Sequence, residues 1–132
     1  MSNYKMRLDK DVIVMVSEPG ADFTIEMAQR FYGEINSEQE LANLYSVVSN
    51  KAWWLADNDF DYEEGTEQYK ESHRITQQWF ALAEKLKNDI FRILRKEGIK
   101  IPQKGHVVVL EPFMQRYGYQ NGDGWWIQES DS

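Results

Sequence analysis

Ile75, Trp79, Leu82, Leu86, Ile90 and Ile93 recur at steps of four, three, four, four and three. A helix of 3.6 residues per turn gathers them into one apolar stripe, which other parts of the chain must cover. Phe80, Ala83, Phe91 and Leu94 widen that face, while Lys85, Asp89, Arg92 and Lys96 fall on the polar side at spacings that let neighbours pair. Acids lie toward its start and bases toward its end, as the helix dipole favours. Gly98 supplies a stop, and Pro102 follows it. The pattern predicts a helix over residues 66–97. As one straight rod it would be roughly 48 Å long, whereas a compact domain of this length is about 36 Å across. The helix must therefore start late, bend or project, and a projecting helix would favour self-association.

The rest of the chain offers shorter elements. Ser37 and Glu40 form a capping-box pattern, and Leu41, Leu44, Tyr45 and Val48 follow at helical spacing. This second helix is expected to run toward Trp53-Trp54-Leu55, with an acidic loop over residues 57–65. Residues 22–35 fit either period. Phe23, Ile25 and Met27 alternate like a strand, but Met27, Ala28, Phe31, Tyr32 and Ile35 share a helix face. The helical reading, from about Thr24 to near Gly33, is preferred. Residues 5–8 and 12–16 flank Asp9-Lys10-Asp11 like the arms of a hairpin, and Pro19-Gly20 ends that section. Residues 106–110 read as a buried strand stopped by Pro112. Asn121-Gly122-Asp123-Gly124 reads as a turn pairing residues 117–119 with residues 125–127.

The expected fold is α+β, a single globular domain over residues 1–132. A small, mainly antiparallel sheet, made of the N-terminal hairpin and the C-terminal strands, packs against one long amphipathic helix and one or two shorter helices. The length of 132 residues suits one domain with its own core. The chain has no cysteine, which excludes disulfides, thiolate nucleophiles and Cys-ligated zinc, and favours a reducing compartment. The first ten residues lack the apolar centre of a signal peptide, and no apolar run nears the roughly 18 residues of a membrane span. A cytoplasmic location with no membrane contact is expected.

Charge narrows the choice of partner. The net charge of −7 argues against direct binding to a nucleic-acid backbone. Asp57, Asp59, Asp61, Glu63, Glu64, Glu67 and Glu71 crowd one stretch, and Lys85, Lys87, Arg92, Arg95, Lys96, Lys100 and Lys104 another. The chain is thus electrically bipolar.

Motifs for chemistry are scarce. Asp57-Asn58-Asp59-Phe60-Asp61 alternates carboxylates as a calcium loop does, but Tyr62 and Gln68 stand where that loop needs Gly and a closing Glu. A solvated acidic loop is the better reading, and no metal or cofactor is expected. His73 and His106 are isolated from any partner at motif spacing, and no nucleophile elbow, phosphate loop or zinc-protease motif occurs. The basic stripe Lys85, Arg92 and Lys96, with Lys100 and Lys104 beyond, reads as a solvated face. The adjacent pairs Trp53-Trp54 and Trp125-Trp126, with Tyr117 and Tyr119, supply aromatic surface of the kind enriched in binding hot spots.

These features favour a non-enzymatic protein-binding or inhibitor-like module acting through an acidic, aromatic surface. The candidate binding residues are Asp57, Asp59, Asp61, Glu63, Glu64, Trp54, Tyr117, Tyr119, Trp125 and Trp126. The expected partner is a macromolecule, a basic protein above all, with homo-oligomerisation through the long helix as a further possibility. The alternative is a small enzyme or small-molecule binder, with a carboxylate and aromatic pocket between the long helix and the sheet.

Overall fold

The computed structural model describes residues 23–59, 62–105 and 107–119, the side chains of residues 58, 59 and 107 aside. Four helices occur there: α1 (Ile25–Gly33), α2 (Glu38–Asp59), α3 (Glu67–Lys96) and α4 (Val107–Arg116). No helix among the described residues is long and apolar enough to cross a membrane.

Residues 41–49 of α2 are all buried, so this helix forms the centre of the fold. A helix enclosed on every side needs no apolar stripe, and its sequence accordingly mixes Leu44, Val47 and Val48 with Asn43, Ser46 and Ser49. The Ser49 hydroxyl is held within the helix, donating to the Tyr45 carbonyl at 2.7 Å, whereas Asn43 is held from a distant part of the chain. The expected capping box starts the helix. The Glu40 N–H donates to Ser37 Oγ at 3.1 Å, and Glu40 Oε1 accepts from the Asn36 N–H at 2.9 Å.

The long amphipathic helix is present as α3, 30 residues that span roughly 45 Å. It runs antiparallel to α2: Trp53 meets Phe80 edge-to-face, with ring centroids 5.2 Å apart, while Leu41 shares a groove with Ile93 at the far end. Its buried residues run only from Thr76 to Leu94. The N-terminal turns of α3 therefore extend past the core, alongside the last turns of α2 beyond buried Ala52. Thr66 caps α3 by accepting from the Tyr69 N–H at 3.2 Å. At the other end Gly98, with φ of +86°, turns the chain back so that the Ile99 N–H reaches the Leu94 carbonyl at 3.0 Å.

Helix α1 forms where the helical period was preferred, with Thr24 Oγ1 accepting from the Met27 N–H at 3.2 Å. Phe23, just before it, packs on Phe31 and Trp79 at centroid distances of 6.2 Å and 5.7 Å, which ties α1 to α3.

The α+β expectation is overturned: the described residues are helical and contain no strand or sheet. The C-terminal strand expected over residues 106–110 is replaced by α4. Val107 to Val109 has the β-branched composition of a strand, but Leu110, Phe113 and Met114, all fully buried, sit at helical spacing, and their packing overrides local preference. Pro112 does not end this element but lies inside it. Its missing N–H and its ring both bear on the Val108 carbonyl, which lies in the first turn at a residue that is 67% exposed. Residues 117–119 form a turn off α4 instead of a strand, with the Tyr119 N–H on the Met114 carbonyl at 3.1 Å. The N-terminal hairpin over residues 5–16, His106 and the turn over residues 121–124 lie outside the described residues.

Candidate functional site

The part of the α2–α3 hairpin that outruns the core carries the acidic cluster. Asp57 is exposed near the end of α2, and Glu63 and Glu64 are exposed in the connection. The helix continues through Asp59, so Asp57 and Asp59 stand on helical backbone and the acidic loop begins later than expected. The side chain of Asp59, and Asp61 altogether, lie outside the described residues. Gly65, with φ of +88°, makes the turn into α3.

Between the two helices of the tip lies an open groove of about 560 Å³, bounded by Leu55, Tyr62, Glu67, Gln68, Glu71, Ser72 and Ile75. Its apolar floor comes from Leu55 and Ile75, and Tyr62 is 45% exposed above it. Glu71 holds Arg74 through two hydrogen bonds, the shorter 2.6 Å, and this pairing lowers the Glu71 pKa. Glu67 reaches Lys70 at 3.5 Å. Among the described residues no ion pair engages Asp57, Glu63 or Glu64. The tip thus keeps an excess of negative charge. Arg92, Arg95, Lys96, Lys100 and Lys104 are exposed at or beyond the opposite end of α3, so the bipolar sequence becomes a bipolar molecule.

The candidate aromatic residues do not come together. Trp54 belongs to the tip and is 37% exposed. Tyr117 and Tyr119 pack at the other end of α2, where the Tyr117 hydroxyl donates to Glu38 and the Tyr119 hydroxyl to Asn43 Oδ1 at 2.7 Å. Glu38 and Asp57 are 19 positions apart on one helix, roughly 28 Å. Tyr119 is buried and belongs to the core. Trp125 and Trp126 lie outside the described residues.

One residue absent from the candidate set stands out beside the tip. Lys51 is half-buried, with its Nζ 5.3 Å from the Trp54 ring centroid and 6.0 Å from that of Trp79. Burial pushes its pKa down. It lines a second cleft, of about 360 Å³, with Phe23, Trp79 and Arg74. Leu55 and Ile75 border both cavities, so the acidic groove and this cleft are neighbours. The sequence signal for Lys51 was its i, i+3 spacing to Trp54, which brings an ammonium over an indole on a helix.

Two of the remaining candidates, His73 and Arg92, are engaged by local contacts. His73 stacks on Tyr69, with ring centroids 5.6 Å apart and planes 6° from parallel. In the basic stripe Arg92 pairs with Asp89 at 2.9 Å, and the Tyr32 hydroxyl donates to the other Asp89 oxygen at 2.8 Å. The enzyme alternative calls for a pocketed carboxylate held above its usual range. The shifted carboxylates among the described residues, Glu71 and Glu97, both move down, each because of an arginine. The chain matches no protein-family model, no curated protein and no solved structure.

Proposed function

We propose that this chain is a protein-binding module whose docking surface is the acidic tip of the α2–α3 hairpin. Its partner is a basic, amphipathic protein segment that lays an apolar side chain on Leu55 and Ile75 and sets Lys or Arg against Glu67 and the unpaired acids Asp57, Glu63 and Glu64. The observation that carries this reading is the groove itself. It joins an apolar floor, an exposed tyrosine and a rim of carboxylates at the edge of the core, where Leu55 and Ile75 are only partly covered. Tyrosine is enriched among the residues that carry binding energy, a polar rim around an apolar centre is the usual anatomy of an interface, and surplus negative charge steers a basic partner at long range.

The test compares the wild-type chain with a Tyr62→Ser, Glu67→Lys double variant in affinity capture, at low and high salt. Both positions lie outside the buried core, so circular dichroism should show an unchanged fold. A basic protein retained by the wild type, released by salt and lost from the variant is the expected result. Equal retention by both chains, or retention indifferent to salt, would reject the tip as the docking surface.

A further inference from the structure

We propose that the cleft beside Lys51 is a binding site for a small organic monocarboxylate with an apolar, aryl-sized body. This site is independent of the protein-docking groove, although the two share Leu55 and Ile75 as a wall.

The argument begins with an uncompensated charge. A lysine whose ammonium is partly withdrawn from water gains from a carboxylate partner, because an opposite charge replaces the hydration lost on its covered side. Among the described residues, no ion pair or hydrogen bond engages Lys51. Its contacts are the faces of Trp54 and Trp79, which attract a cation but offer no acceptor for its N–H groups. The amine is therefore held in place with its donors available, on the wall of a cavity.

The cavity sets the rest of the ligand. Its volume, about 360 Å³, is near the lower end for small-molecule sites. Phe23, Ile25, Leu55, Ile75 and Trp79 give it apolar and aromatic walls, which suit a ring or short hydrocarbon body. Arg74 adds a second cation, but its Nε and Nη2 are already committed to Glu71, so only part of its charge faces a ligand. Glu26 also borders the cleft. One available ammonium, one half-neutralised guanidinium and nearby carboxylates fit a single negative charge. A phosphate dianion would meet repulsion from Glu26 and Glu71. The carboxylate accepts from Lys51 Nζ, and the apolar body lies along Leu55 and Ile75, over the floor that Phe23 and Trp79 make together.

The probe is 4-phenylbutyrate, titrated calorimetrically into the wild-type chain, with 4-phenylbutanol as its uncharged twin. The acid should bind one-to-one and the alcohol much more weakly. Lys51→Met keeps an unbranched side chain against both indoles and should weaken the acid about tenfold or more, the loss of one charge-assisted hydrogen bond. Lys51→Arg should restore most of the affinity. No binding of the acid, equal binding of acid and alcohol, or unchanged affinity in Lys51→Met would each overturn the proposal. The acid–alcohol comparison needs no variant, so it decides the matter even if Lys51→Met does not fold.

Discussion

The Tyr119 hydroxyl lies 2.7 Å from the amide oxygen of Asn43, and both residues are buried. This bond joins the turn after α4 to the central helix across 76 positions of sequence. Gln39 Nε2 donates to the same oxygen at 2.9 Å and to the Tyr117 carbonyl at 3.1 Å. Asn43 thus keeps a donor when Tyr119 is changed, and Tyr119→Phe should cost about 1 kcal/mol. Urea unfolding would measure it. A variant as stable as the wild type would mean that the bond does no more than replace one to water.

Two glycines should respond in opposite directions. Gly33 closes α1 with helical backbone and has open space around it, so Gly33→Ala should stabilise the fold by about 0.5–1 kcal/mol. Gly98 also has open space, but its φ of +86° is strained for any residue with a Cβ. Gly98→Ala should cost about 1–2 kcal/mol. Thermal melts of the two variants should bracket the wild type.

Tyr117 gives a signature at high pH. Burial, with help from the Glu38 carboxylate that accepts from its hydroxyl, pushes its pKa from 10.0 up to about 12. The fold therefore prefers the neutral phenol. The stabilisation is complete below pH 10.0 and is lost as the pH rises through about 12. Tyr117→Phe lacks this dependence, so the stability gap between wild type and variant should shrink across that window. Titration followed by phenolate absorbance should show one late-ionising tyrosine fewer in the variant. A gap that stays constant would mean that Tyr117 ionises alike in folded and unfolded chains.

The central position of α2 predicts which truncations hurt most. Leu44 is fully buried in the stretch enclosed on all sides, and Leu44→Ala should cost about 2–5 kcal/mol. Val108→Ala, at a site 67% exposed, should change stability by about 0.5 kcal/mol or less. Chemical denaturation of the pair would test whether burial around α2 is as complete as the packing shows.

The parts legible in sequence were those whose signals are local and repeated. The stripe from Ile75 to Ile93 fixed α3 almost to the residue, and Ser37 with Glu40 marked the start of α2. Helix α4 was misread because its valines favour strands and Pro112 favours a break. What decides it is the burial of Leu110, Phe113 and Met114, a tertiary effect. That Asp57, Glu63, Glu64 and Glu67 cluster was legible because charges close in sequence stay together on any backbone. Grouping Tyr117 and Tyr119 with it failed because nothing local reveals that they close against the opposite end of α2. Lys51 carries no signal of its own in the sequence, because a single lysine in a helix is ordinary until the structure shows it half-buried between two indoles.

Helix α2 is translated before the segments that cover most of it. Among the described helices only α1 precedes it, while α3, its main packing partner, and then α4 with the turn that carries Tyr119 arrive later. A chain built around its own middle cannot mature piecemeal from one end. Its apolar axis stays open until the closing helix is delivered, and that interval is when the nascent protein would most need a chaperone.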